Sequence, residues 1–573
     1  MDDHDRPHPG ALSRRAFLKG AAAVPLAAYL AACTTSRPTV RVSASAVARP
    51  APTPTPPAVL PAEAKRIARL VPKEVLERVY QGFIPGMSGE VVTVPIGFNY
   101  FDGGISHSTP WPYTQHVPMV WYGPGIVPSR GSIHRPVTSA DQAPTLAKIT
   151  GFSDFQAPDG TLMEEVIDPK APKPKLIVTL VWDAGGMYVL GLWPDNWPNL
   201  KALMRNGVSY ANATVGSSPS STAPVHATMG TGAFPRRHGI LDNLQKDSAG
   251  RIVDPWTPGP RAMLLPGFAD FYGAELGDKV EVGLFATLSW HLGMMGMGTA
   301  FDGGKRQLAI LREKGGGEGA EGISWGMSDR QAPYYRFPDY VNDLPAINTY
   351  WPMADAFDGV SDGKWRGHAF EDLRLGFDTP ARVPYQTTAI QEVMRREGLG
   401  HHEGTDLMFI NYKLIDEVGH IFTASSQEMG DCVLAQDAGL PGFIDFLDRQ
   451  VGKGKWVLLV TADHGHSANH DVSGGFPIKV PAVEGYLKNA LPTKDKGHVV
   501  EKSRPGWSFV DLAEMDGAGY DLERISSDLR GMTKLDATEK PDELSTSERG
   551  DKVLLTSFPG VWLPGMIELA HNS

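Results

Sequence analysis

Asp416 and His420 stand four residues apart in Asp416-Glu-Val-Gly-His420, just beyond a strand-like apolar run that opens at Asp406. That spacing lets a carboxylate and an imidazole close on one metal ion. Asp463 and His464 are adjacent and follow a second apolar run, Lys455–Val460. A third carboxylate, Asp183, ends the run from Lys175 to Trp182. A single Asp-His pair is commonly structural. Three carboxylates and two histidines at the ends of apolar strands form a pattern, because unpaired charge there is costly and metal coordination relieves the cost. A mixed oxygen and nitrogen donor set suits zinc, manganese or iron better than calcium.

A fourth segment offers a nucleophile. Gly216-Ser-Ser-Pro-Ser-Ser221-Thr222-Ala-Pro-Val-His226 follows a strand and runs into a helix of small residues. Thr222 falls at the helix start, where free N–H groups and the helix dipole favour an anionic phosphate. The plain alternative is that Thr222 only caps the helix.

These residues need a frame. The run 175–182 reads as a buried parallel strand, and Val208–Val215, Val280–Ala286, Asp406–Asn411 and Lys455–Val460 repeat the pattern. Helical spacing appears at 199–206, about 384–397 and about 426–449. Alternation of this kind predicts an α/β fold with helices on both faces of a sheet, and such sheets gather their chemistry at the C-terminal strand ends. The stretch 244–405 is long and rich in Gly, Tyr and Trp, and is expected to be an insertion capping the site. Its aromatic residues, including Tyr334, Tyr335, Tyr350 and Trp351, suit cap packing or the stacking of a base or lipid headgroup.

Composition narrows the classes. With 54 Lys+Arg against 65 Asp+Glu in 573 residues, the net charge of −11 argues against a nucleic-acid coat. Two cysteines, Cys33 and Cys432, exclude a disulfide scaffold and a Cys-rich zinc module. Ser13-Arg14-Arg15-Ala16-Phe17-Leu18-Lys19 is a twin-arginine pattern, and the apolar run Gly20–Ala32 after it is shorter than the ~20 residues that span a bilayer. Leu30-Ala31-Ala32-Cys33 resembles a bacterial lipobox. Residues 1–33 are therefore expected to direct export by the twin-arginine route, with a lipid on Cys33 anchoring the chain at the outer face of the cytoplasmic membrane. Residues 34–62, rich in Pro, Thr, Ser and Ala, read as an extended tether. That anchor is the expected membrane contact, and no obligate protein partner is evident.

Taken together, Asp183, Thr222-Ala-Pro-Val-His226, His238-Gly-Ile-Leu-Asp-Asn243, Asp416-Glu-Val-Gly-His420 and Asp463-His464-Gly465 resemble the alkaline phosphatase superfamily, most of all its nucleotide pyrophosphatase/phosphodiesterase branch. The resemblance spans roughly residues 85–490 and implies a three-layer α/β/α sandwich with a mostly parallel central sheet. It further implies two divalent metal ions, zinc foremost. Asp183, Asp463 and His464 would hold the ion that activates Thr222 as the nucleophile, and Asp416 and His420 the other. Asn243 would donate to a phosphoryl oxygen. His226 and His238 are expected to be supporting or packing residues, and His466 and His470 spare candidates for a ligand.

The implied activity is hydrolysis of small-molecule phosphoric esters through a phosphothreonine, with three alternatives. A sulfatase shares the fold, but its motif needs arginine where this chain has Ser221. A non-catalytic binding protein is the second. A phosphomonoesterase is the third: such enzymes often set a Lys or Arg pair over the phosphate, whereas Thr287-Leu-Ser-Trp-His291 after the 280–286 strand offers no cation except His291. That absence favours diesters or pyrophosphates.

One ligand is missing from its family position. The second metal normally takes a third histidine from a segment after the Asp-His pair, and none there has the family context. Instead, Gly104-Ile-Ser-His107 through Val117-Pro-Met-Val-Trp-Tyr-Gly123-Pro-Gly resembles that closing segment, and Val137–Gly151 with Asp159-Gly160 continues it. The chain is thus expected to be circularly permuted. Residues 63–170 would be the permuted piece of the catalytic domain and 171–573 the remainder, with His107 as the third ligand and residues 117–122 in the same sheet.

Overall fold

The computed structural model describes residues 59–102, 107–257, 259–312, 324–493 and 497–572. The expected export signal 1–33, with Cys33, and nearly all of the expected tether 34–62 lie outside these residues.

The central sheet is built from β1 (Met119–Tyr122), β2 (Gly131–Ile133), β3 (Leu176–Trp182), β4 (Val208–Tyr210), β5 (Val282–Phe285), β6 (Gln307–Ile310), β7 (Tyr335–Arg336), β8 (Asp406–Tyr412) and β9 (Trp456–Thr461). Their order is β7-β6-β5-β8-β3-β9-β1-β4-β2. Only β1 runs against its neighbours, pairing Val120 with Val460 of β9 and with Ser209 of β4. Residues 119–122 therefore do enter the sheet as expected. Helices α1 (Gln142–Thr150), α2 (Pro198–Asn206), α3 (Thr222–Thr231), α4 (Arg382–Arg396), α5 (Leu414–Phe422) and α6 (Gln427–Gln450) complete the layers relevant to the site.

The apolar runs are continuous because the sheet is covered on both faces. Leu176, Val178, Leu180 and Trp182 of β3 pack with α2, α4, α5 and α6. Ile177 and Val181 point the other way and pack with α1, α3 and the helix Phe268–Leu276. The α/β sheet with helices on both faces is what the residues predict, and the three-layer, mostly parallel arrangement is what the resemblance implies.

Two boundaries differ from expectation. The run 208–215 is not one strand; it splits into β4 and the two-residue pair Ala213–Thr214. The stretch 244–405 is not simply an inserted cap, since it supplies β5, β6, β7 and α4 to the central layers. Its off-sheet part buries Ile347, Trp365 and Phe377 in the same cluster as β3 and β8. Its aromatics serve packing: Trp351 stacks on Phe370 at 5.0 Å, and the fully buried Tyr335 donates its hydroxyl to Gly296 O at 2.6 Å. Apart from the central sheet, Val91–Pro95 lies between Trp507–Val510 and Leu554–Pro559 in a separate antiparallel sheet.

Candidate metal centre

β3, β8 and β9 are adjacent in the sheet and parallel, so their C-terminal ends deliver Asp183, Asp416 and Asp463-His464 to one place. Asp416 sits in the first turn of α5 and His420 in its last, on one helix face. The N-terminal segment reaches the same place. A Cβ on Gly465 would lie 2.2 Å from Tyr113 O, so only glycine lets the 112–115 turn pack this tightly beside Asp463-His464. That packing carries His107 in. It is 2% exposed, with Nε2 3.5 Å from Asp416 Oδ1 and its ring stacked 3.8 Å from His464.

Two ligand sets emerge. In one, His107 Nε2 and His420 Nε2 lie 3.5 and 3.4 Å from Asp416 Oδ1. In the other, His464 Nε2 lies 3.2 Å from Asp463 Oδ2 and 3.6 Å from Asp183 Oδ1. Tetrahedral coordination at ~2.0–2.1 Å separates ligand atoms by roughly 3.3–3.4 Å, close to these values. Hydrogen bonding does not explain the approaches of His107 and His464. His107 Nδ1–H donates to Ser220 O at 3.1 Å and His464 Nδ1–H to Gly465 O at 3.0 Å, so each Nε2 presents a lone pair to carboxylate oxygens. Asp416 Oδ1, His420 Nδ1, Asp463 Oδ2 and His464 Nε2 are buried with no hydrogen-bond partner. Lone pairs converging on lone pairs, at ligand spacing, fit divalent cations.

Electrostatics agree. Burial, and then neighbouring His464, holds His107 well below the usual imidazole range; burial likewise lowers His464. Both are kept in the neutral form that ligates. Burial and the adjacent Asp183 push the Asp463 carboxyl well above its ordinary range. Burial is the largest influence on Asp183 and Asp416 and disfavours their charged forms, but Lys413 together with His291 and His464 at Asp183, and with His420 and His107 at Asp416, outweighs it and both fall below the ordinary range. Three buried carboxylates thus face one ammonium. Desolvating each uncompensated charge costs on the order of several kcal/mol, which further cations would offset.

Supporting residues fix the first ring of groups. Asp183 Oδ2 accepts from Asn411 Nδ2 at 2.9 Å and faces His291 Nε2 at 3.1 Å, which leaves Oδ1 on the side of His464 and Lys413. His226 Nδ1–H donates to Thr222 O at 2.7 Å while Nε2 accepts from Asn411 Nδ2 at 3.1 Å. His238 Nε2 lies 3.0 Å from Thr228 Oγ1. Both ring nitrogens of His226 are thus engaged, and His238 also accepts from Ile240 N–H at 3.2 Å. Asp183, His226 and His291 also converge, but their facing atoms are already engaged. His466 is buried 5.1 Å from His420 ring to ring, against Gly419, and His470 turns its Nδ1 to Gly475 O at 3.0 Å. Neither belongs to a converging group of ligand atoms.

Thr222 is the first residue of α3, not its cap; Ser221 takes the cap position and donates its hydroxyl to Asp242 Oδ1 at 2.7 Å. Asn243 Oδ1 accepts from Ala223 N–H at 3.1 Å, which holds its amide against the start of α3 beside Thr222. α3 itself is seated through glycines. A Cβ at Gly230 would lie 2.1 Å from Gly293 O, and that contact brings α3 against the 289–294 turn bearing His291.

Lys413 escaped the sequence reading. It lies in the turn between β8 and α5, 5% exposed, with Nζ 2.7 Å from Asp416 Oδ2, 3.2 Å from Asp183 Oδ1 and 3.4 Å from Thr222 Oγ1. The signal was a lysine directly after a mostly apolar strand and three residues before a candidate ligand carboxylate. The neighbouring Glu417 is turned away, paired with Arg374 at 2.7 Å and with Arg382.

Comparison with known proteins follows the same lines. Residues 178–563 match the family model of type I phosphodiesterase/nucleotide pyrophosphatase. The chain is 25% identical over 381 residues to the alkaline phosphatase PhoV of Synechococcus elongatus, covering 59% of this chain and 65% of that protein. It is 25% identical over 429 residues to the alkaline phosphatase PafA of Elizabethkingia meningoseptica, covering 67% and 75%. The match thus spans just under two thirds of the length of PhoV. A crystal structure of wild-type PafA superimposes with a TM-score of 0.49 at 17% identity, covering 68% of this chain and 89% of that one.

Proposed function

Since the chain belongs to the type I phosphodiesterase/nucleotide pyrophosphatase family, within the alkaline phosphatase superfamily, we propose that it hydrolyses phosphoric esters of small molecules with Thr222 as nucleophile beside two divalent ions. The observation that carries this is a helix-start threonine beside two groups of converging ligand atoms, His107–Asp416–His420 and Asp183–Asp416–His464, with the unpartnered Asp463 Oδ2 3.2 Å from His464 Nε2. Asp183, Asp463 and His464 would hold one ion; Asp416, His420 and His107 the other; zinc suits both donor sets, with manganese or iron as alternatives. Such ions supply charge neutralisation at the phosphoryl oxygens and bring a bound hydroxyl or water into its ionised form near neutral pH.

The protein's own groups do the positioning. Thr222 Oγ gives its proton to solvent and attacks phosphorus, forming a P–O bond to the threonine as the bond to the leaving oxygen breaks and that oxygen takes a proton from water. Water then cleaves the phosphothreonine, returning the hydroxyl and releasing phosphate or its monoester. Asn243, its Oδ1 tied to Ala223 N–H, presents its amide nitrogen to a phosphoryl oxygen. Asn411 and His291 hold Asp183 in one orientation, so the carboxylate spends no energy reorganising.

The decisive assay offers p-nitrophenyl phosphate, bis-p-nitrophenyl phosphate and p-nitrophenyl sulfate to the metal-reconstituted protein. Turnover of phosphate esters well above the sulfate ester is expected. Sulfate turnover in excess would sink the proposal, and no turnover at all would favour a binding protein.

The permuted order of the chain belongs to the same proposal. It is supported by the buried His107 beside Asp416, by the antiparallel β1, and by the packing of helix Ala62–Leu70 with helix Leu563–Asn572 in one cluster. Chain ends that lie together tolerate relinking. A chain started at residue 171, with 59–170 joined after 572 by a short linker, should fold and bind the same metal complement. Loss of one ion from that relinked protein while it stays folded would count against the permutation.

A further inference from the structure

The strand end after β5 carries no cation toward the nucleophile. His291 there is committed to Asp183 Oδ2, on the side away from His464. The nearby guanidinium of Arg382 is tied to Glu417 and Thr287, and Arg504 lies beside Asp242. The adjacent strand supplies the charge instead. Lys413 Nζ is within 3.4 Å of Thr222 Oγ1 and contacts one carboxylate from each ligand set. Its backbone is anchored, because Glu417 N–H donates to Lys413 O at 3.1 Å as the first helical bond of α5.

From this geometry we infer that Lys413 binds a non-bridging oxygen of the transferred phosphoryl group and admits dianionic phosphomonoesters as substrates of the site. The inference rests on the hydrolase proposal above and adds the substrate class to it. A phosphorus atom within bonding reach of Thr222 Oγ must place its oxygens beside an ammonium that already touches that hydroxyl. A monoester dianion brings one more negative charge than a diester into a pocket that already holds Asp183, Asp416 and Asp463. Among the described residues, Lys413 is the protein cation at that spot. It gives up no proton in the reaction: the P–O bond to Thr222 forms, the bond to the leaving oxygen breaks, and the ammonium stays an ammonium throughout.

The test compares metal-loaded wild type, Lys413→Met, Lys413→Gln and Lys413→Arg on p-nitrophenyl phosphate and bis-p-nitrophenyl phosphate. Metal content by mass spectrometry and inhibition by inorganic phosphate are measured alongside. The Met and Gln variants should lose about 100-fold in kcat/KM on the monoester and less than about 10-fold on the diester, as expected for removing one charge-assisted donor to the transferred group. Inorganic phosphate should inhibit them at least about 10-fold more weakly than wild type, and Arg should restore part of the monoester rate. Metal content should not change.

An equal loss on both esters, or a loss of bound metal, would make Lys413 only a counter-ion for Asp183 and Asp416 and overturn the inference. So would a wild type that acts on diesters alone. If Met does not fold, Gln carries the comparison. A wild type inactive on both esters sinks the hydrolase proposal itself, whereas an active wild type with an inert Thr222→Ala and an unchanged monoester-to-diester ratio in the lysine variants sinks this inference alone.

Discussion

Thr222→Ala is expected to abolish turnover, by about 10,000-fold or more, because the covalent step has no other route through this site. The fold should survive the change. Thr222 is the first residue of α3 rather than its cap, and the structure-bearing hydroxyl at this turn is that of Ser221, donated to Asp242. Metal content should stay close to wild type, since Asp183, Asp463 and His464 remain in place. Thr222→Ser, which keeps the hydroxyl, should retain measurable activity. A Thr222→Ala protein with kcat near wild type would contradict the phosphothreonine route.

His107→Ala should cost about 1000-fold in kcat/KM and remove one equivalent of bound metal, because it takes one of three ligands from a set built around Asp416 Oδ1. His466→Ala is the control. Its ring is as buried as that of His107 and lies 5.1 Å from His420, but it joins no converging ligand group. Its effect should stay within about 10-fold, the range of a supporting contact. Equal effects of the two substitutions, read by metal content as well as rate, would remove His107 from the ligand set.

Much of this centre was legible in the residues because strand ends advertise themselves. The runs closing at Asp183, before Asp416 and at Asp463 are mostly apolar and buried on both faces, so their termini could be placed without knowing the strand order. His107 was legible only through its resemblance to a family segment, since more than 300 residues separate it from Asp416 and no local spacing connects them. Lys413 was not read as functional because its role depends on which strands are neighbours. A lysine at the end of β8 means little until β3 is known to lie beside it, with Asp183 opposite. The misjudged cap has a similar origin. β6 has four residues and β7 two, too short to show a period, so the stretch around them looked like an excursion from the sheet. The smaller sheet was hidden for a different reason: Val91–Pro95 pairs with Leu554–Pro559 across most of the chain.

The most direct measurement is peptide mass spectrometry on metal-loaded enzyme, acid-quenched during turnover of a phosphate ester. A phosphoryl group on Thr222, absent from Thr222→Ala and from metal-stripped protein, is the predicted result. A phosphoryl group on Ser221 or a histidine instead, or none on any residue while pre-steady-state kinetics show an accumulated intermediate, would contradict the account.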